Sequence, residues 1–242
     1  MNKRFLLLII PFFFISCASE ADKIISKSID FSGSKGFEGK KISFDFRDKT
    51  YISTLREGIF NYERITTDST GIIRDVLTNT GFKRYKNDAL VEVQDTMAIK
   101  YSNSINSVHY FAYLPKGLNE KSVNKELLGV VSIKDMEYYK IKVWFNKEGG
   151  GTDFEDIFLY WINKKTHFID YLAYLYYTDG GGIRFREAYN ERFVNGIRFV
   201  DYNNYEPLDA KITLFETDSV FESGNLKLLS KIELKNIKVE DF

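Results

Sequence analysis

From Lys41 onward the chain keeps a period of two. Ile42, Phe44 and Phe46 alternate with Ser43, Asp45 and Arg47, so a strand built from them turns one face to a core and the other to water. Short segments rich in aromatic and β-branched residues recur at 51–55, 59–65, 72–77, 82–85 and 90–93, and again at 130–133, 138–145, 157–162, 168–177, 183–189, 197–205, 212–215 and 226–239. In the first half they are separated by Gly58, Gly71, Gly81 and Asn87-Asp88, the punctuation of consecutive hairpins. With 21 Phe, 16 Tyr and only 3 Pro in 242 residues, strands are favoured and no Pro-rich linker divides the chain. Helix competes at 19–29, where Ser19 and Asp22 occupy the places of a capping box. It competes again over 95–128, where Ile105, Val108 and Ala112 recur at helical spacing before Pro115, and a second short helix is expected over 119–128 with Val123 and Leu127 on one side. The expected fold is mainly β (α+β): so many strands, about a dozen, curl into a strongly curved antiparallel sheet or part-barrel, with two or three helices filling the concave side.

The first residues set a different constraint. Asn2-Lys3-Arg4 is basic and 5–15 is apolar throughout, too short for a membrane-spanning helix but suited to a secretory signal. Phe14-Ile15-Ser16-Cys17 follows and resembles the lipobox of bacterial lipoproteins, with Phe14 where Leu is more usual. The expected organisation is a lipoprotein signal peptide over 1–16, a lipidated Cys17 with a short helix and a flexible Gly-rich linker over 17–40, and a single curved-sheet domain over 41–242. A diacylglyceryl cysteine with a further amide-linked acyl chain (palmitate or similar) anchors lastingly, because each buried methylene contributes about 0.8 kcal/mol. The implied location is the cell envelope, lipid-anchored at the outer membrane, with the membrane itself as a partner.

Chemistry is harder to find. Lys plus Arg and Asp plus Glu are each 34, so there is no global basic field for nucleic acid. Two His and one Cys give no conventional zinc site, and no motif asks for a cofactor. Gly149 to Gly151 and Gly180 to Gly182 lack the Lys-Ser or Lys-Thr of a phosphate loop and read as hairpin turns; Asp153, Glu155 and Asp156 after the first triplet fit no EF-hand spacing and read as a solvated turn. Alternation puts Arg184 and Arg186 on one face of a strand, and Arg198, Val200 and Tyr202 on one face of the next. Two readings of that sheet stay open. It is a solvated face stapled by cross-strand pairs, or it is a groove in which Arg184 and Arg186 meet an anionic headgroup or acidic sugar while Trp161, Tyr174 and Tyr176 stack on the ligand and Asp201 supplies a carboxylate.

Ser43-Phe44-Asp45-Phe46-Arg47, Asn106-Ser107-Val108, Tyr160-Trp161-Ile162, Gly180-Gly181-Gly182-Ile183-Arg184-Phe185-Arg186-Glu187-Ala188-Tyr189-Asn190 and Asn195-Gly196-Ile197-Arg198-Phe199 resemble a family of Bacteroidota lipoproteins built on a domain of unknown function. That resemblance implies an envelope location and no reaction. In architecture the helix followed by a meander is also similar to the lipoprotein carriers of the Lol system, whose half-barrels hold acyl chains. The expected function is noncatalytic binding of a hydrophobic or amphiphilic ligand, lipid or glycan. The alternatives are an envelope enzyme acting on carbohydrate or acyl ester, and a structural or interaction lipoprotein.

The lipobox generates the first prediction. Cys17→Ala should abolish metabolic labelling with an alkyne fatty acid, because transfer requires the thiol. Equal labelling of the variant and the parent would show that Cys17 is not the acylation site.

Overall fold

In the computed structural model, residues 18–149 and 154–242 are described; Cys17, the signal segment and Asp153 lie outside them. Helix α1 (Glu20–Phe31) begins at Ser19, whose hydroxyl accepts the Asp22 N–H while the Asp22 carboxylate accepts from Ser19, a complete capping box. Its stripe of Ala21, Ile24 and Ile25 is buried. Strands β1 (Lys40–Phe46), β2 (Lys49–Arg56), β3 (Ile59–Asp68), β4 (Gly71–Thr78), β5 (Gly81–Lys86) and β6 (Ala89–Val91) follow as an antiparallel meander. Helix α2 (Asp95–Ala112) then leads to a second meander of β7 (Val123–Ile133), β8 (Met136–Phe145), β9 (Ile157–Asn163), β10 (Ile169–Tyr176), β11 (Gly182–Val194), β12 (Ile197–Pro207) and, after α3 (Thr217–Glu222), β13 (Leu226–Ile232). The last strand, β14 (Leu234–Asp241), returns to the first sheet and pairs with β1. Among the described residues the fold is mainly β with three α-helices, in keeping with the period-two pattern, and the strands divide into two seven-stranded sheets.

Only Glu233 separates β13 from β14, so the chain passes from one sheet to the other in a single residue. Asp201 of β12 holds that corner. Its carboxylate accepts from the Leu234 backbone N–H at 2.9 Å, from Arg192 Nη2 at 2.8 Å and from Asn190 Nδ2 at 2.6 Å. Arg192 in turn donates to the Leu234 carbonyl at 2.6 Å. With both oxygens of a buried carboxylate engaged, its desolvation is offset and the corner is fixed.

Helix α2 lies between the sheets. His109, Val108, Ala112 and the following Tyr113 pack on Phe44 and Tyr51 of the first sheet, while Tyr110 and Phe111 pack on Phe158 and Tyr174 of the second. Both faces of the second sheet's middle are covered, which is why six consecutive residues of β9 are buried. Phe158, Tyr160 and Ile162 meet α1 and α2; Leu159 and Trp161 meet Leu214 and α3. Two-sided burial of that kind needs near-continuous apolar sequence, and Ile157 to Ile162 supplies it.

Three expectations are corrected. The short helix over 119–128 is absent: Val123 begins β7, paired with Phe145, and the spacing of Val123 and Leu127 that suggests a helix serves a strand with a register shift between Leu127 and Gly129. The strand expected over 212–215 is also absent: Leu214 to Glu216 form a 3₁₀ turn leading into the helix that follows, with Thr213 and Glu216 making a capping box. The segment expected as a flexible linker is packed: Ser34 to Phe37 form a 3₁₀ turn with Phe37 buried, and the Arg198 N–H donates to the Ser32 carbonyl at 2.9 Å. Gly33, at φ 68°, approaches the β11–β12 turn so closely that a Cβ would lie 1.9 Å from the Gly196 carbonyl oxygen. The Gly180 to Gly182 triplet does connect two strands, with all three residues at positive φ.

The corner generates a stability prediction. Asp201→Ala leaves Arg192 and the Leu234 N–H without their shared acceptor, so urea denaturation should show a loss of about 3 kcal/mol. An unchanged midpoint would mean that the Asp201 cluster does not hold the corner.

Candidate functional site

A cavity of about 360 Å³ opens between the two sheets beside α2. The helix contributes Ser104, Ser107, Val108 and Phe111, which share one face at three- and four-residue spacing. The first sheet contributes Tyr51, Arg64 and the β1–β2 turn from Phe46 to Lys49; the second contributes Arg186, Val200, Tyr202, Asn204 and Ile232. Alternation along β12 explains the second wall, since Val200, Tyr202 and Asn204 point one way and Asp201 the other. The lining is half apolar or aromatic and half polar, with four cationic side chains and the single carboxylate of Asp48.

The two innermost cations differ in their company. Arg64 is buried and donates from Nη2 and Nε to Asp75 Oδ2 at 2.7 and 3.2 Å and from Nη1 to Ser104 Oγ at 3.0 Å. Asp75 also receives Arg84 Nε at 2.6 Å, and this bond holds the Arg84 guanidinium's pKa above its usual value. One carboxylate therefore serves two guanidinium groups. Arg186 is 7% exposed, and its protein partners are neutral: Nη2 donates to the Tyr174 hydroxyl at 3.0 Å, Nε to Asn204 Oδ1 at 3.4 Å, and the guanidinium carbon sits 3.7 Å from the Phe111 ring centroid. Among the described residues no carboxylate forms an ion pair with it.

Of the residues singled out in the sequence, Arg186 lines the cavity and Tyr174 positions it from behind. Arg184 and Tyr176 share that face of the sheet but lie outside the lining; Arg184 stands 3.9 Å from Glu206 and 5.3 Å from the Tyr176 ring. Trp161 is on the opposite face and wholly buried, its Nε1 donating to Asp218 Oδ2 at 3.1 Å beneath α3. Asp201 is in the corner between the sheets. Sequence reading missed Arg64, Phe111 and Asn204, which reach the cavity only because α2 is sandwiched and because the sheets face each other; the alternation of β12 carried the one available hint.

His109 underlies the site. It is fully buried, with Nδ1 3.0 Å from the Ile105 carbonyl oxygen, Nε2 3.3 Å from the Ile52 carbonyl oxygen, and its ring stacked 4.2 Å from Tyr62. Burial lowers its pKa from 6.5 to about 4 and raises that of Tyr62 to about 12.

Residues 2–234 match DUF6503, a family of unknown function. The chain belongs to that family. Two solved structures share the DUF6503 chain's fold. A DUF1329 family protein from Desulfovibrio piger is 8% identical with a TM-score of 0.56, covering 91% of this chain and 93% of its own. A LolA superfamily protein from Nitrosomonas europaea is 13% identical with a TM-score of 0.51, covering 93% of this chain and 96% of its own. At such identities the likeness is one of fold, and it bears out the architectural resemblance to the Lol-type proteins. Among curated proteins none matches the chain.

The buried imidazole gives a pH prediction. The folded state holds His109 neutral down to about 4 while the unfolded chain takes up the proton near 6.5, so the unfolded state binds more protons across that window. Stability should fall as pH drops from 6.5 towards 4, and His109→Gln should remove a share of that slope worth about 3 kcal/mol, measured by denaturant unfolding across the window. Parallel pH profiles for variant and parent would show that the ring is not titrating with unfolding.

Proposed function

We propose that this DUF6503 protein is a lipid-anchored protein of the cell envelope that holds a hydrophobic or amphiphilic ligand between its sheets and performs no chemistry on it. The observation that carries the reading is the cavity itself: a partly open cleft between the sheets, lined in about equal measure by apolar or aromatic side chains and by polar ones, in the size range of small-molecule sites. The polar groups around it are engaged in positioning. Arg64 is tied to Asp75 and Ser104, and His109 is held between two backbone carbonyls. The fold shared with a LolA superfamily protein and the lipobox at Cys17 support the same reading, with the outer membrane as the location. Lipid is favoured over glycan because Val108, Phe111, Val200 and Ile232 line the space, while Trp161, the best sugar platform, is sealed under α3.

Native mass spectrometry of the protein isolated from its own envelope should show a co-purifying small amphiphile. Ser107→Trp, which places an indole at the cavity from an exposed helical position, should remove the adduct while leaving the thermal transition close to the parent's. A parent protein that is uniformly unliganded, and that takes up no alkyl amphiphile when supplied, would overturn the proposal.

A further inference from the structure

We infer that the ligand carries one anionic oxygen group, a carboxylate or phosphate on a single alkyl chain, and that Arg186 is its counter-charge; this rests on the ligand-binding reading above. A guanidinium that is nine-tenths buried is expensive unless paired, because the charge loses its water. The other buried arginines among the described residues conform to that rule: Arg64 meets Asp75, and Arg198 meets Asp170 and Glu191. Arg186 is the exception. The protein gives it a hydroxyl, an amide oxygen and the face of Phe111, which orient the group and offset part of its desolvation without neutralising it.

The geometry leaves the group ready for an acceptor. Of the five N–H donors of a guanidinium, Tyr174 and Asn204 take one each, and the side chain lines the cavity with Tyr202 and Asn204 beside it. A planar fork presented to the cavity suits two oxygens on one centre, so carboxylate and phosphate share the required chemistry. Arg64 adds to the field: Asp75 is divided between two guanidinium groups, which leaves that neighbouring cluster with one positive charge in excess. Size restricts the rest of the molecule. A cavity of about 360 Å³ is at the small end for ligand sites, room for one chain and not for a multiply acylated lipid.

The test is calorimetric titration of the protein with dodecanoate, dodecyl phosphate and methyl dodecanoate near neutral pH. The anions should bind the parent roughly tenfold or more tightly than the ester, the difference a charge-assisted hydrogen bond makes. Arg186→Gln should close that gap by weakening the anions and sparing the ester. Ser107→Trp should weaken all three. Preference for dodecanoate points to a free carboxylate and preference for dodecyl phosphate to a phosphate headgroup; either supports the proposal. A parent that binds acid and ester alike overturns it, as does a gap that survives in folded Arg186→Gln. If the glutamine variant does not fold, Arg186→Lys replaces it: a point charge without the fork should narrow the gap, and an unchanged gap counts against Arg186. Ester binding that persists without an anion preference sinks this inference alone, whereas no binding of any of the three sinks the ligand-binding function with it.

Discussion

Asp201 is where the two sheets become one body. The chain crosses from β13 to β14 through Glu233 alone, and the carboxylate on β12 takes the first N–H of β14 while Arg192 takes its carbonyl. A meander of this length cannot close without strand edges meeting somewhere, and here the meeting is made by side chains in place of a β13–β14 ladder. The sheets can then diverge, and the space between them is what α1, α2 and the residues after α2 fill. Burial of both faces of β9 follows from the same arrangement, since the second sheet has helices on each side.

The filling is incomplete beside α2. Tyr110 and Phe111 reach the second sheet and Val108, His109 and Ala112 the first, but the serines at 104 and 107 are too small to bridge the gap. What remains is a space whose walls come from three separate elements. Its polar groups are each held from behind: Arg64 by Asp75, Arg186 by Tyr174 and Asn204. Such support keeps a binding group in one orientation and lowers the entropy lost when a partner arrives. Neutral partners orient Arg186 yet leave its charge available.

Local features were legible. The capping box of α1, the helical stripe of α2, the hairpin turns and the mainly-β character follow from patterns spanning a few residues, and the pairing of Val200 and Tyr202 on one face follows from alternation. The short helix over 119–128 failed because Val123 and Leu127 satisfy two periodicities at once, and pairing with β8 chose the strand. The Gly-rich segment after α1 looked mobile because glycine and serine suit loops, whereas Gly33 is there to let the backbone touch Gly196. That contact joins residues far apart in sequence and leaves no local trace.

By itself, the sequence determined the strand-rich class and the positions of α1 and α2, because each depends on the chemistry of adjacent residues. It also put Arg184 with Arg186 on one face of a strand, and Tyr174 with Tyr176 on one face of another. Only the tertiary structure decided that Arg186 alone among them enters a cavity, that Trp161 is sealed under α3, and that Asp201 is a structural clasp. The reason is physical: alternation fixes which way a side chain points, but whether that side meets solvent, a helix or an opposing sheet depends on strands dozens of residues away.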